Sequence, residues 1–229
     1  MSRLFVALTP PAGVLAEIAA EVAPRRAEWP GLRWVDDALW HVTLAFLGEV
    51  PDTVLPELDV RLARAAARHA PMRVWFGSAG AFPSPSRART FWVGLNTVPA
   101  GSDDPEGPEG AGRRGGSRSG GMPGDERGGR REGSRGRSGA FAEPMVRLAA
   151  SLAAGARRAG AEEVDRKAFH PHLTLARSRR GEDLRTLVSS MSAFRGHEWQ
   201  ADAVHLVRSH LGSHVRYEQV AVYPLGGRD

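Results

Sequence analysis

The sequence predicts an α+β fold of two pseudo-symmetric lobes, each an antiparallel sheet with outer helices, related by an approximate internal two-fold axis. Three observations predict it. The pattern His41-Val42-Thr43-Leu44 returns as His172-Leu173-Thr174-Leu175. Each copy sits in a strand-like stretch, Trp40 to Gly48 and Phe169 to Arg177. Around each copy the apolar periodicity follows one order: helix, motif strand, helix, strand, strand.

Arg3 to Leu8 reads as a strand, and Pro10 to about Ala27 as a helix with Pro11 near its first turn and Val14, Leu15, Ile18 and Val22 at helical spacing. After the first motif strand, Val54, Leu55, Leu58, Leu62, Ala65 and Ala66 mark a helix from about Asp52 to Ala70. Strands follow near Met72 to Ala79 and Thr90 to Leu95. An alanine-rich amphipathic helix, Phe141 to Ala159, precedes the second motif strand. A helix from about Glu182 to Phe194 and strands near Glu198 to Ser209 and Tyr217 to Tyr223 complete the order.

Between the halves, residues 99–139 hold about half of the 27 Gly and no aromatic residue. Such a stretch buries too little apolar surface to offset the entropy of ordering it, so it is expected to be a disordered insert in a single bilobal domain spanning 1–229. Its first part is acidic and its later part rich in Arg, Gly and Ser. It reads as a tolerated linker, because loop closure depends only weakly on loop length.

Zero Cys excludes disulfides, thiolate nucleophiles and cysteine metal ligands. No apolar run approaches a membrane span, and the first residues lack the apolar core of a signal peptide, so a cytoplasmic location without membrane association is expected. The net charge of +5 suits an anionic partner such as RNA.

In a strand, each motif His shares a face with the Thr two residues on, while Val42, Leu44, Leu173 and Leu175 occupy the other face. Each copy is then half a site, and the lobes would bring the halves together across an active-site cleft. Two imidazoles with two hydroxyls offer a proton donor, a proton acceptor and hydrogen-bond donors for phosphoryl oxygens. With a reference pKa of about 6.5, imidazoles supply both protonation states near neutral pH without a metal or other cofactor.

On these residues the chain resembles the 2H phosphoesterases, a superfamily defined by two His-x-Thr/Ser-x motifs. Within it, the chain is most similar to the RNA 2′,3′-cyclic phosphodiesterases, also called 2′-5′ RNA ligases. The stretches that match are Arg3-Leu4-Phe5-Val6-Ala7-Leu8, the first motif continued through Ala45-Phe46-Leu47-Gly48, and His170-Pro171 with the second motif through Ala176-Arg177. Leu206-Val207-Arg208-Ser209 and the later Tyr217 also match, so the resemblance spans nearly the whole chain outside the insert.

The resemblance implies hydrolysis of RNA 2′,3′-cyclic phosphate ends to 2′-phosphomonoesters, with His41 the general acid and His172 the general base. Thr43 and Thr174 would donate hydrogen bonds to the phosphate. Arg177 would add a charge-assisted contact, and Phe5 would bind substrate by stacking on a base. Strict alternation points Arg177, five residues past His172, to the wrong face, so its role requires the strand to end or twist near Ala176. The expected partners are RNAs with such ends, tRNA fragments among them, with no obligate protein partner.

Rival readings stay open on the residues alone. His170 and His172, two apart, invite a metal, but no carboxylate or third His accompanies them at a familiar spacing. An RNA-end binding protein without turnover is a second rival, although permanent cations would serve binding better than half-neutral imidazoles. Within the enzyme class, 2′-5′ ligation or hydrolysis of another small cyclic phosphodiester are the alternatives. Phe5, Trp34, Trp40, Phe46 and Phe169 are candidates for stacking a base. His69, His197, His205, His210 and His214 show no comparable pattern and read as surface or structural groups.

Overall fold

The computed structural model describes residues 1–98, 143–165, 167–212 and 215–226. The expected insert at 99–139 and the first two residues of the helix expected from Phe141 lie outside the described residues.

The first strand is β1 (Ser2–Leu8), and α1 (Ala12–Glu28) follows. The helix starts two residues later than expected, with Pro11 itself outside it at ψ 151° and Pro10, as the residue before a proline, disfavoured in helical conformation. Pro11 then caps the start, its carbonyl accepting from the Leu15 N–H at 3.1 Å. A two-residue strand, β2 (Arg33–Trp34), is too short to show alternation and was not predicted. The first motif leads into β3 (Val42–Val50), a 3₁₀ turn at Asp52–Val54, α2 (Leu55–Ala66), β4 (Met72–Phe82) and β5 (Ala88–Thr97). The second half contributes α3 (Glu143–Ala159), β6 (His172–Glu182), α4 (Arg185–Ser190), β7 (Trp199–Ala201), β8 (Ala203–His210) and β9 (Arg216–Pro224).

Two elements depart from expectation. The helix read from Glu182 to Phe194 is only α4, because serines at its end bond back to the chain: Ser190 Oγ donates to the Leu187 carbonyl at 2.9 Å and Ser192 Oγ to the Ser189 carbonyl at 2.7 Å. The strand read from Glu198 to Ser209 breaks at Asp202, whose carbonyl accepts from the Leu225 N–H at 2.7 Å. Its two pieces belong to different sheets.

The fold is the expected α+β arrangement of two antiparallel sheets, in orders β3-β1-β8-β9 and β2-β6-β5-β4-β7. The lobes are not the sequence halves. β2 and β5 from the first half flank the second motif strand, with β4 beyond β5, while β8 and β9 from the second half extend the sheet of the first. The helices exchange likewise: α3 packs on β3 and on α2, and α2 also meets β9, whereas α1 is tied to the other lobe by the His197 N–H donating to Glu17 at 2.9 Å and Arg25 donating to the Ser190 carbonyl at 2.8 Å. Neither half can complete a sheet without the other, and β3 and β6 pack side by side where the lobes meet.

Val42, Leu44, Leu173 and Leu175 are buried in one continuous core with Leu4, Val6, Phe91, Leu148 and Leu152, as the alternation required. At roughly 1.5–3 kcal/mol per large apolar side chain, these residues hold the motif strands in place. The end of β3 is fixed by Gly48, with φ +72°. A Cβ there would meet Glu163 Cβ at 2.4 Å, and the Glu163 carboxylate accepts from the Glu49 N–H at 3.0 Å. Gly48→Ala is expected to destabilise the protein by about 1–3 kcal/mol, measured by urea unfolding. Among the described residues no helix is long and apolar enough to cross a membrane.

Candidate active site

Both motif histidines are anchored alike. The His41 Nδ1–H donates to the Leu39 carbonyl at 2.7 Å, and the His172 Nδ1–H to the His170 carbonyl at 2.6 Å, each two residues back along the chain. Bonding Nδ1–H this way fixes the tautomer and leaves Nε2 of each ring as the working atom. His41 Nε2 lies 3.0 Å from Thr43 Oγ1, so the hydroxyl donates to the neutral ring and accepts from the protonated one. His41, Thr43, His172 and Thr174 line one cleft of about 910 Å³.

The motif strands also share a bulge. Along β1 and β3, Val6 pairs with Ala45 and Ala7 with Thr43, which skips Leu44. Along β5 and β6, Phe91 pairs with Ala176 and Trp92 with Thr174, which skips Leu175. An unpaired residue reverses the alternation beyond it. Leu44 and Ala45 are therefore buried in succession, as are Leu175 and Ala176. The next residues, Phe46 and Arg177, return to the histidine face and line the cleft. The strand thus neither ends nor needs a general twist at Ala176, because one bulge re-aims Arg177.

Arg3, Arg33, Arg177 and Arg216, from four different strands, surround the cleft, and Asp36 is the only carboxylate lining it among the described residues. None of the four guanidiniums forms an ion pair among the described residues, whereas arginines such as Arg25, Arg73 and Arg185 are paired with carboxylates elsewhere. Burial pushes His41 below the ordinary histidine pKa against the opposing bond to Leu39, and the Arg177 charge lowers it further. Burial likewise lowers His172, with the charges of His170, Arg177 and His41 adding to it. Such a site is short of negative charge, and a bound anion would return both imidazoles toward protonation.

Phe5 also reaches the cleft, but it is only 4% exposed. Its ring lies 4.8 Å from His41 and 5.1 Å from Tyr217, centroid to centroid. Phe5 thus packs against the His41 ring while lining the cleft where it was expected to stack on a base. Tyr217 closes the cluster, its ring edge-on to His41 at 5.1 Å, and burial raises its phenol pKa while Arg177 and Arg3 oppose the rise. Sequence reasoning gave no site role to Tyr217, Arg3, Arg33 or Arg216, and offered Phe46 only as an aromatic that could stack a base. Aligning the two motifs does place Phe46 opposite Arg177, a usable signal; the others come from scattered strands and have none.

Phe82 stands edge-on to His172 at 5.1 Å. The rings of His170 and His172 are 6.3 Å apart, and among the described residues no three His, Asp or Glu side chains converge as metal ligands. His69, His197, His205 and His210 bond to Ser151, Glu17, Gln219 and Glu218 away from the cleft, and His214 lies outside the described residues.

A Geobacillus stearothermophilus protein named RNA 2′,3′-cyclic phosphodiesterase is 26% identical over 204 residues, 86% of this chain and 49% of that protein. An Archaeoglobus fulgidus protein of the same name is 34% identical over 96 residues, 41% of this chain and 51% of its own length. The chain thus spans about half the length of these curated relatives. Among solved structures, TT0787 of Thermus thermophilus superposes with a TM-score of 0.64 at 25% identity, covering 99% of this chain and 100% of that one. E. coli LigT in apo form gives a TM-score of 0.63 at 21% identity, covering 98% of each chain, a likeness of fold. The LigT like Phosphoesterase family model matches residues 7–92 and 138–217, on both sides of the Gly/Arg-rich stretch and across both motifs. The chain belongs to the LigT-like phosphoesterase family.

Proposed function

We propose that the chain hydrolyses RNA 2′,3′-cyclic phosphate ends to 2′-phosphomonoesters by a metal-independent, two-histidine mechanism. The observation that carries this reading is the pair of imidazoles held alike by their Nδ1–H bonds, both opening into one cleft rimmed by arginines. The names of the two curated relatives point to the same substrate class.

In the proposed reaction, water attacks phosphorus opposite the ribose 3′ oxygen. Its proton passes to Nε2 of neutral His172 as the new P–O bond forms. The bond from phosphorus to the 3′ oxygen breaks, and that oxygen takes the proton from Nε2 of protonated His41. The phosphate remains on the 2′ oxygen, and the two rings return to their starting protonation states by exchange with solvent. Negative charge builds on the non-bridging oxygens during the in-line displacement. Thr43 and Thr174 donate hydrogen bonds to these oxygens and Arg177 contributes its positive charge. Phe5 holds the His41 ring in place.

The test is conversion of a short RNA ending in a 2′,3′-cyclic phosphate, in excess chelator, with the phosphate isomer identified by chromatography. The expected product is the 2′-phosphate, formed at the same rate with and without chelator. A 3′-phosphate product, or loss of turnover in chelator, would contradict the assignment.

A further inference from the structure

A second groove, of about 680 Å³, opens off the same pair of motif strands. It shares Thr43, Phe46 and His172 with the arginine-rimmed cleft, but His41, Thr174 and the four cleft arginines do not line it. Its walls are mostly apolar, with Val146, Ala150 and Ala153 of α3, Phe82 and Phe169, while Asp165 and His170 also line it. Val146 is 37% exposed, an apolar side chain left open to solvent. Arg157 and Lys167 also line the groove, and neither forms an ion pair among the described residues.

The aromatic candidates for stacking separate by their surroundings. Trp40, at 3% exposed, is buried like Phe5. Trp34 is half-buried at the arginine-rimmed cleft, held by its indole N–H donating to the Trp29 carbonyl at 3.1 Å and by an edge-to-face contact with Phe91. Phe46 and Phe169 are half-buried, and both line the second groove.

From this division we infer that the second groove binds the heterocyclic base of the terminal nucleotide, while the upstream phosphodiesters follow Arg3, Arg33 and Arg216 along the cleft. The inference rests on the reaction proposed above. A terminal base is tethered to the reacting phosphate by one ribose, so its slot must adjoin the residues that hold that phosphate. The second groove meets this condition through Thr43 and His172. Aromatic and aliphatic walls stack a base with little dependence on its identity, and guanidiniums suit the chain's phosphates. Arg157 and Lys167 outnumber the one carboxylate of the groove, Asp165, and add positive charge where the base joins a polyanion.

The test compares two short RNAs with 2′,3′-cyclic phosphate ends, one terminating in adenosine and one in an abasic ribose, with wild type, Ala150→Trp and Phe169→Ala. Wild type is expected to favour the base-bearing RNA by about ten-fold or more in kcat/KM, mainly through KM. Both variants are expected to reduce that preference to roughly two-fold or less. Ala150 is exposed on α3, so the added indole fills the groove without entering the core. Turnover of the abasic RNA by each variant reports whether its histidine pair is assembled. A wild type indifferent to the base, or a preference that survives both substitutions, would overturn the assignment while leaving the reaction intact. Failure of wild type to turn over either RNA would reject the reaction and this subsite together.

Discussion

His41→Ala and His172→Ala are each expected to lower kcat on an RNA 2′,3′-cyclic phosphate by about 10²- to 10⁴-fold, the range for a positioned acid or base. KM should change far less, since Arg177, the other cleft arginines and both threonines remain. The two sites differ in what else is lost. His41 carries the contact with Phe5 and Tyr217, so its removal also loosens that cluster, whereas His172 stands against Phe82 at the junction of the two grooves. Thermal unfolding of each variant separates the effects: a midpoint near that of wild type, with activity gone, assigns the loss to proton transfer. Activity within about ten-fold of wild type in either variant would remove that histidine from the chemistry.

Arg177→Gln is expected to reduce kcat/KM by about 10- to 100-fold, the scale of one charge-assisted contact to a developing oxyanion. It should also displace the pH profile. In kcat/KM the acidic limb reports loss of the proton from His172 and the basic limb reports its loss from His41, both in the free enzyme. Burial and the Arg177 charge hold both groups below the ordinary histidine value, so the bell is expected on the acid side of about 6.5. Removing a nearby positive charge makes each imidazolium easier to form, which raises both pKa values and moves both limbs to higher pH. Measuring kcat/KM from acid to alkaline pH for both proteins checks this. An unmoved profile would place the Arg177 charge too far from the rings to act on them.

The legible parts of the molecule were those written in short-range patterns. The duplicated His-x-Thr-Leu announced two strands, their buried faces and four residues that line one cleft, because alternation in a strand is set by the backbone alone. The exchange of strands between halves was not legible: nothing local in Met72 to Thr97 says that it will flank His172 and not His41. Strand partners are chosen by the whole core. The bulge at Leu175 was visible only as a demand that Arg177 placed on the chain, and its twin at Leu44 was unforeseen, although together they set Phe46 and Arg177 in corresponding places. Phe5 was read only as a stacking partner for a base; its packing against His41 and Tyr217 depends on neighbouring strands and has no local signal. Arg3 and Arg33 near one end of the chain and Arg216 near the other converge on the cleft, a grouping that only the folded sheets create.

The central claim is that two histidines from duplicated motifs act in one step on one phosphate. Single-turnover rates of wild type, His41→Ala, His172→Ala and the double variant, on one RNA 2′,3′-cyclic phosphate at one pH, test it most directly. Groups that act as a unit are strongly non-additive, so the double variant is expected to be within about ten-fold of the slower single variant. Losses that multiply, the double variant falling by the product of the two single effects, would show two independent contributions and contradict the shared site.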